Sequence, residues 1–137
     1  MAKRFTVGEA NRLLPWLEML LIEMGGKKLE IERLRAELTE VSKGAVAEGP
    51  VAPAVLENLR RLNGTVVEFN QMLEALHDRG IILRDVESGL VDFPAELDGQ
   101  EAFLCWQLGE KEIGYWHELD AGYAGRKPLP EKGQGPN

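Results

Sequence analysis

A chain of 137 residues with 23 acidic against 16 basic side chains, a formal charge of -7, has room for one domain with its own core and repels phosphate backbones and anionic lipid. Its Lys and Arg are interspersed with acids rather than clustered, which disfavours nucleic acid as a partner. A lone cysteine excludes an internal disulfide and fits a reducing compartment, and no apolar run reaches the roughly 18 residues of a membrane span, so a cytoplasmic protein with no membrane partner is expected.

The first element is a helix over residues 6–43. Thr6 followed by Glu9 has the capping-box spacing that satisfies two orphan amides at a helix start. Leu13, Leu17, Leu20, Met24, Lys27, Ile31, Leu34, Leu38 and Val41 then alternate in steps of four and three, the seam of a helix packed lengthwise on another. Only Lys27 is out of character. Pro15 removes one backbone donor, so a kink is expected between Asn11 and Leu14. Gly25 and Gly26 lie within this seam rather than after a strand, which excludes a phosphate cradle and leaves room for a close helix or a hinge.

Gly44 to Pro53 is short and rich in Gly and Pro, so a second helix over residues 53–79 should return antiparallel. Its seam reads Val55, Leu59, Leu62, Val66, Phe69, Leu73 and Leu76, and Gly80 supplies a left-handed C-cap. Asn63, Asn70 and His77 share a flanking row of this helix, which is the pattern of a solvated edge or a polar lining. Helix two pairs with only the later part of helix one. Residues Thr6 to Leu14 are therefore free to pack on whatever follows Gly80.

From residue 81 to 119 the period becomes extended. Ile81 to Arg84 and Leu90 to Phe93, stopped by Pro94, form one hairpin; Ala102 to Leu108 and Ile113 to Leu119 form another around Gly109 to Glu112. With Leu108 opposite Ile113, Trp106 faces Tyr115 and Leu104 faces His117 on one side, while Cys105 faces Trp116 and Phe103 faces Glu118 on the other. Both faces are apolar, so the one turned away from the helices needs a cover: the tail, the start of helix one, or a second subunit. The single domain is expected to span residues 1–130, with a disordered tail at 131–137.

No recognised catalytic motif occurs, and no cofactor is indicated. His117 beside Trp116 and Glu118 is the best candidate for a base or metal ligand, against the alternative of a hydrogen-bonded core histidine. Asp92 between Val91 and Phe93 is a candidate ligand or base, or a turn cap. Cys105 is a nucleophile only if a cation or helix terminus lowers its pKa, and otherwise an inert core thiol. Arg126 presents a planar fork for a carboxylate or phosphate, or ties the tail to the body. Glu110, with its neighbours Glu112 and Glu118, offers oxygen ligands for a divalent cation. His117, Asp92 and Glu110 are thus the metal candidates, and His117, Asp92, Cys105 and Arg126 the catalytic ones.

Phe5 to Pro15, Gly89 to Pro94, Leu104 to Glu110, Trp116-His117 and Gly122 to Arg126 together resemble an uncharacterised prokaryotic family, domain of unknown function 2203. The resemblance spans nearly the whole chain and is specific in the second half. It implies that the start of helix one and the sheet form one unit, and it carries no activity, cofactor or catalytic residue.

The sequence thus predicts an α+β domain: a long, coiled-coil-like antiparallel helical hairpin with an antiparallel β-sheet of about four strands at its open end. A two-helix hairpin with an apolar seam has little else to bury against, so a homo-oligomer is expected. The leading functional expectation is an interaction or structural protein, its protein-binding surface formed by the sheet and the start of helix one. The alternative is a small-molecule- or metal-binding enzyme with its site around His117, Asp92 and Arg126.

Overall fold

The computed structural model describes residues 3–43 and 52–130. Most of the Gly/Pro-rich connection and the tail at 131–137 lie outside the described residues. Helix α1 spans Val7–Lys43. Its start is the expected capping box, with the Thr6 amide donating to Glu9 Oε1 at 2.9 Å and the Glu9 amide to Thr6 Oγ1 at 3.0 Å. The Thr6 amide, foremost, holds the Glu9 carboxyl below the usual carboxylate range. The helix runs unbroken through Pro15, which is exposed.

Helix α2 spans Pro53–Asp78 and ends in a Schellman motif. The Gly80 amide donates to the His77 carbonyl at 2.9 Å and the Ile81 amide to the Leu76 carbonyl at 3.1 Å. Gly80 has φ +83°, and Leu76 and Ile81 are both buried, which completes the motif with its apolar contact.

The seam between the helices differs from the expected one. On α2 the buried and half-buried row is Val55, Asn58, Leu62, Thr65, Phe69, Met72 and Leu76, while Leu59 and Leu73 are 43% and 39% exposed. A three-four repeat starting at Val55 is matched equally by both rows, and the observed one accepts two polar members because each finds a backbone carbonyl for its donor. Asn58 Nδ2 donates to the Leu34 carbonyl of α1 at 3.1 Å, and Thr65 Oγ1 to the Arg61 carbonyl of its own helix at 2.9 Å. On α1 the expected seam holds from Met24 through Ile31 and Leu34. Nearer the start the buried row is Ala10, Leu14, Leu17 and Leu21, because there α1 packs on the sheet rather than on α2 alone.

The sheet is an antiparallel meander of five strands, one more than expected: β1 (Ile82–Asp85), β2 (Leu90–Leu97), β3 (Gln100–Gln107), β4 (Tyr115–Glu118) and β5 (Lys127–Pro128), in that spatial order. Pro94 does not stop β2. Its carbonyl accepts the Phe5 amide at 2.7 Å, so the same edge of Pro94 faces away from β3 and the missing N–H breaks no β2–β3 bond. β2 therefore continues to Leu97 and turns through Asp98 and Gly99, with φ +51° and +80°, the left-handed pair of a type I′ turn. The dipeptide Asp98-Gly99 signals that hairpin once Pro94 is not taken as a stop. The fifth strand is short and carries Pro128, which suits an edge.

One face of the sheet, with Val91, Phe93, Ala95, Leu104 and Trp106, packs on α1 and closes the main core. Phe5 meets Phe93 edge-on at 5.2 Å between ring centres, and Asn11 Oδ1 accepts the Ile113 amide at 2.8 Å. The start of α1 and the sheet thus form one unit. Among the described residues no helix is long and apolar enough to cross a membrane.

Candidate functional site

The site is created by the register of β3 on β4. Phe103 lies opposite His117, Leu104 opposite Trp116 and Cys105 opposite Tyr115, which is one residue out of step with the expected pairing. The reason is the connection Leu108 to Gly114. Glu110 folds back so that its Oε1 accepts the Gln107 amide at 2.7 Å and its carbonyl accepts Trp106 Nε1 at 3.1 Å. Ile113 is drawn out of the ladder into the core, where it is buried and Asn11 takes its amide. A slip of one residue exchanges the faces of a strand. His117 therefore stands on the outer face, away from the helices, instead of beside Leu104.

On β2, Asp92 lies opposite Cys105, so the same slip brings Asp92, Cys105 and His117 onto one face of three adjacent strands. Their candidate donor atoms all lie within 4.8 Å of one another. The three residues are 1%, 1% and 2% exposed, so the outer face is covered. The cover comes from Arg84 on β1, from Arg126 and from the segment Leu119 to Tyr123. Among the described residues, the segment that follows β4 thus lies over this face.

His117 Nε2 lies 2.9 and 3.0 Å from the two Asp92 oxygens, and His117 Nδ1 lies 2.8 Å from the Glu118 carbonyl. A carbonyl oxygen only accepts, which places a hydrogen on Nδ1. Nε2 and the carboxylate are then two acceptors in contact, and a proton or another cation must lie between them. Arg84 Nε donates to Asp92 Oδ2 at 2.8 Å, while Oδ1 faces His117 Nε2 at 2.9 Å. The rest of the Arg84 fork makes no hydrogen bond among the described residues, and its side chain is 43% exposed.

Burial, followed by the charge of Asp92, pushes the Cys105 thiol up to about 11; Arg126, whose Nη1 is 3.9 Å from Sγ, pulls more weakly the other way. Cys105 is a protonated thiol at neutral pH and not an activated nucleophile. Burial works against the charge of Arg126 and is outweighed by Glu110, so the guanidinium is held above its ordinary range. The pair is bidentate at 3.1 and 2.8 Å. The rings of Tyr115 and Tyr123 flank the guanidinium carbon at 3.9 and 4.4 Å.

Arg84, Asp92, Cys105, His117, Gly122 and Tyr123 line a pocket of about 340 Å³. A larger apolar groove of about 790 Å³ runs between α2 and β1 past Asn70 and His77, and none of the three cluster residues lines it. The smaller pocket has the chemistry: an acid, an imidazole, a thiol and an open guanidinium.

Three of the sequence candidates, His117, Asp92 and Cys105, converge here, and Arg126 stands beside Cys105. Glu110 does not belong to the metal-capable group. Both of its oxygens are committed to Arg126 and the Gln107 amide, so it shapes the loop instead. Glu118 pairs with Lys127 at 2.9 Å on the surface and Glu112 is exposed. Arg84 escaped the sequence reading. The available signal was its alternation with Ile82, which lies opposite Asp92, but the strand shifts register between Leu83 and Asp85.

A family model described as an uncharacterised conserved protein, DUF2203, matches residues 3–129. No curated protein and no solved structure matches the chain.

Proposed function

This chain belongs to the DUF2203 family, and from its own geometry we propose that it is a small-molecule-binding protein whose ligand carries an anionic group and docks in the outer-face pocket of the sheet. The observation that carries this reading is the meeting of Asp92, Cys105 and His117 at the floor of a pocket whose mouth holds an arginine fork that, among the described residues, is hydrogen-bonded at one nitrogen. A fold that needs only a core has no use for this concentration of polar groups, since burying them costs free energy that apolar residues would not. The Arg84 fork matches a carboxylate or phosphate oxygen pair, and the Asp92–His117 pair holds a proton within reach of whatever sits beside it.

The test is a titration of metal-free protein with acetate, citrate and phosphate, followed by the side-chain resonances of Arg84 and His117. Saturable shifts at both residues, with the His117 shift lost in Arg84→Gln, support the reading. No shift at millimolar anion, or shifts that survive Arg84→Gln, removes it.

A second reading, self-association through the hairpin, is favoured by a different observation. Met19, Ile22 and Leu29 on α1 and Leu56, Leu59, Val67 and Leu73 on α2 are all exposed. The polar residues in the helix seam leave these apolar side chains facing outward, where a second hairpin would bury them. Sedimentation velocity on the full chain separates a dimer from a monomer, and a monomer at high micromolar concentration removes this reading.

A further inference from the structure

We propose that Asp92, Cys105 and His117 are the three protein ligands of a thiophilic divalent cation of the zinc class, with a fourth position open to the pocket. This rests on reading the pocket as a ligand site and names what stands at its floor.

The argument begins with His117. Its Nδ1–H is given to the Glu118 carbonyl at 2.8 Å, which fixes the ring and turns the Nε2 lone pair toward Asp92 and Cys105. Metal-bound histidines are oriented in this way by a carbonyl or carboxylate on the far nitrogen. Asp92 is prepared similarly: Oδ2 is occupied by Arg84 Nε and Oδ1 is turned to the imidazole. Arg126 offers an N–H toward Cys105 Sγ at 3.9 Å, an outer-shell donor suited to a thiolate.

The spacing fits. Tetrahedral zinc with bonds of about 2.0 to 2.3 Å places its ligand atoms roughly 3.3 to 3.7 Å apart. Donor atoms already within 4.8 Å of one another reach that geometry by a side-chain adjustment of about 1 Å. A set of one nitrogen, one oxygen and one sulfur selects a borderline-soft ion over magnesium or calcium.

The charge balances as well. The cation displaces the thiol proton of Cys105 and the single proton held between Asp92 and His117, and two protons leave for one divalent ion. Thiolate, carboxylate and neutral imidazole then sum with the metal to zero, the same as the thiol and the Asp92–His117 pair with its one shared proton before it. The buried cluster gains no net charge, and no redox step is involved. Three protein ligands leave one position facing the pocket, where Arg84 stands ready for an anion bound to or beside the ion.

The experiment is a Co2+ titration of the full reduced chain, prepared with chelator and freed of it. Expected are a stoichiometry of one, the visible absorption of tetrahedral cobalt, and a sulfur-to-cobalt charge-transfer band in the near ultraviolet that Zn2+ abolishes by displacement. Cys105→Ser should remove the charge-transfer band and weaken Co2+ by at least about 100-fold, with His117→Gln weakening it similarly. Because Cys105 is the only cysteine, a second readout needs no variant: stoichiometric Zn2+ should slow its alkylation in the native protein at least tenfold.

Absence of the band together with unchanged alkylation overturns the proposal, as does cobalt binding that Cys105→Ser leaves intact. The anion titration is run without metal. Retained anion shifts with no cobalt band would therefore dismiss the metal centre and spare the pocket, whereas loss of both would dismiss the two together.

Discussion

Replacing His117 with alanine should destabilise the domain far more than removing an ordinary half-apolar side chain. His117 is 2% exposed, and its loss takes from the Asp92 carboxylate the imidazole that both of its oxygens face, with Arg84 Nε left on Oδ2. Removing one member of a buried pair costs about 3 to 5 kcal/mol, because the remaining charge stays desolvated. Taking about 3 to 5 °C per kcal/mol for a chain of this size, the melting temperature should fall on the order of 10 to 20 °C. The assay is urea unfolding of metal-free protein followed by tryptophan fluorescence, with calorimetry alongside. Asp92→Ala should cost a similar amount, and the double variant should cost less than the sum of the singles by about 1 to 3 kcal/mol, since the second removal eliminates the orphan the first created. A loss below about 1 kcal/mol for His117→Ala, or strict additivity in the double variant, would show that the two side chains do not depend on each other.

Other outcomes follow from single positions. Gly89 has φ +69°, and an added Cβ would lie 2.5 Å from Leu108 Cβ, whereas Gly99 has φ +80° and open space; Gly99→Ala should cost about 1 kcal/mol and Gly89→Ala at least about 2 kcal/mol more, read from urea midpoints. The buried Cys105 thiol, raised from 9.0 to about 11, favours the fold while it is neutral. Its contribution is present below pH 9 and lost as the pH climbs toward about 11, since the unfolded thiol ionises first; Cys105→Ala should flatten stability over that window. Asn11→Ala strips the Ile113 amide of its acceptor and should cost about 1 to 3 kcal/mol, with faster hydrogen exchange at Ile113 as the local signature.

How much of the site was legible can be judged residue by residue. His117, Asp92, Cys105 and Arg126 stand out in the sequence by chemical type and by their apolar neighbours. Their convergence did not, because it depends on a register that hydrophobic alternation leaves open when both faces of the strands are apolar. Glu110 drew attention as a loop acid, yet a loop acid that reaches back to Arg126 and the Gln107 amide is a structural tie, and only coordinates distinguish the two. Arg84 was marked only by its alternation with Ile82, and the register shift between Leu83 and Asp85 blurs that signal.

Local signals, by contrast, survive folding unchanged. The capping box at Thr6 and Glu9, the left-handed cap at Gly80 and the extent of both helices depend on neighbours a few residues away, so the amino-acid order alone determined them. The α2 seam, the continuation of β2 past Pro94 and the pairing of β3 with β4 depend on partners distant in sequence: Leu34 for Asn58, Phe5 for Pro94, Asn11 for Ile113. Those contacts exist only once the chain has closed on itself. It was tertiary structure that turned His117 to the outer face and placed it against Asp92, because a β-strand offers two equivalent faces and only long-range packing can choose between them.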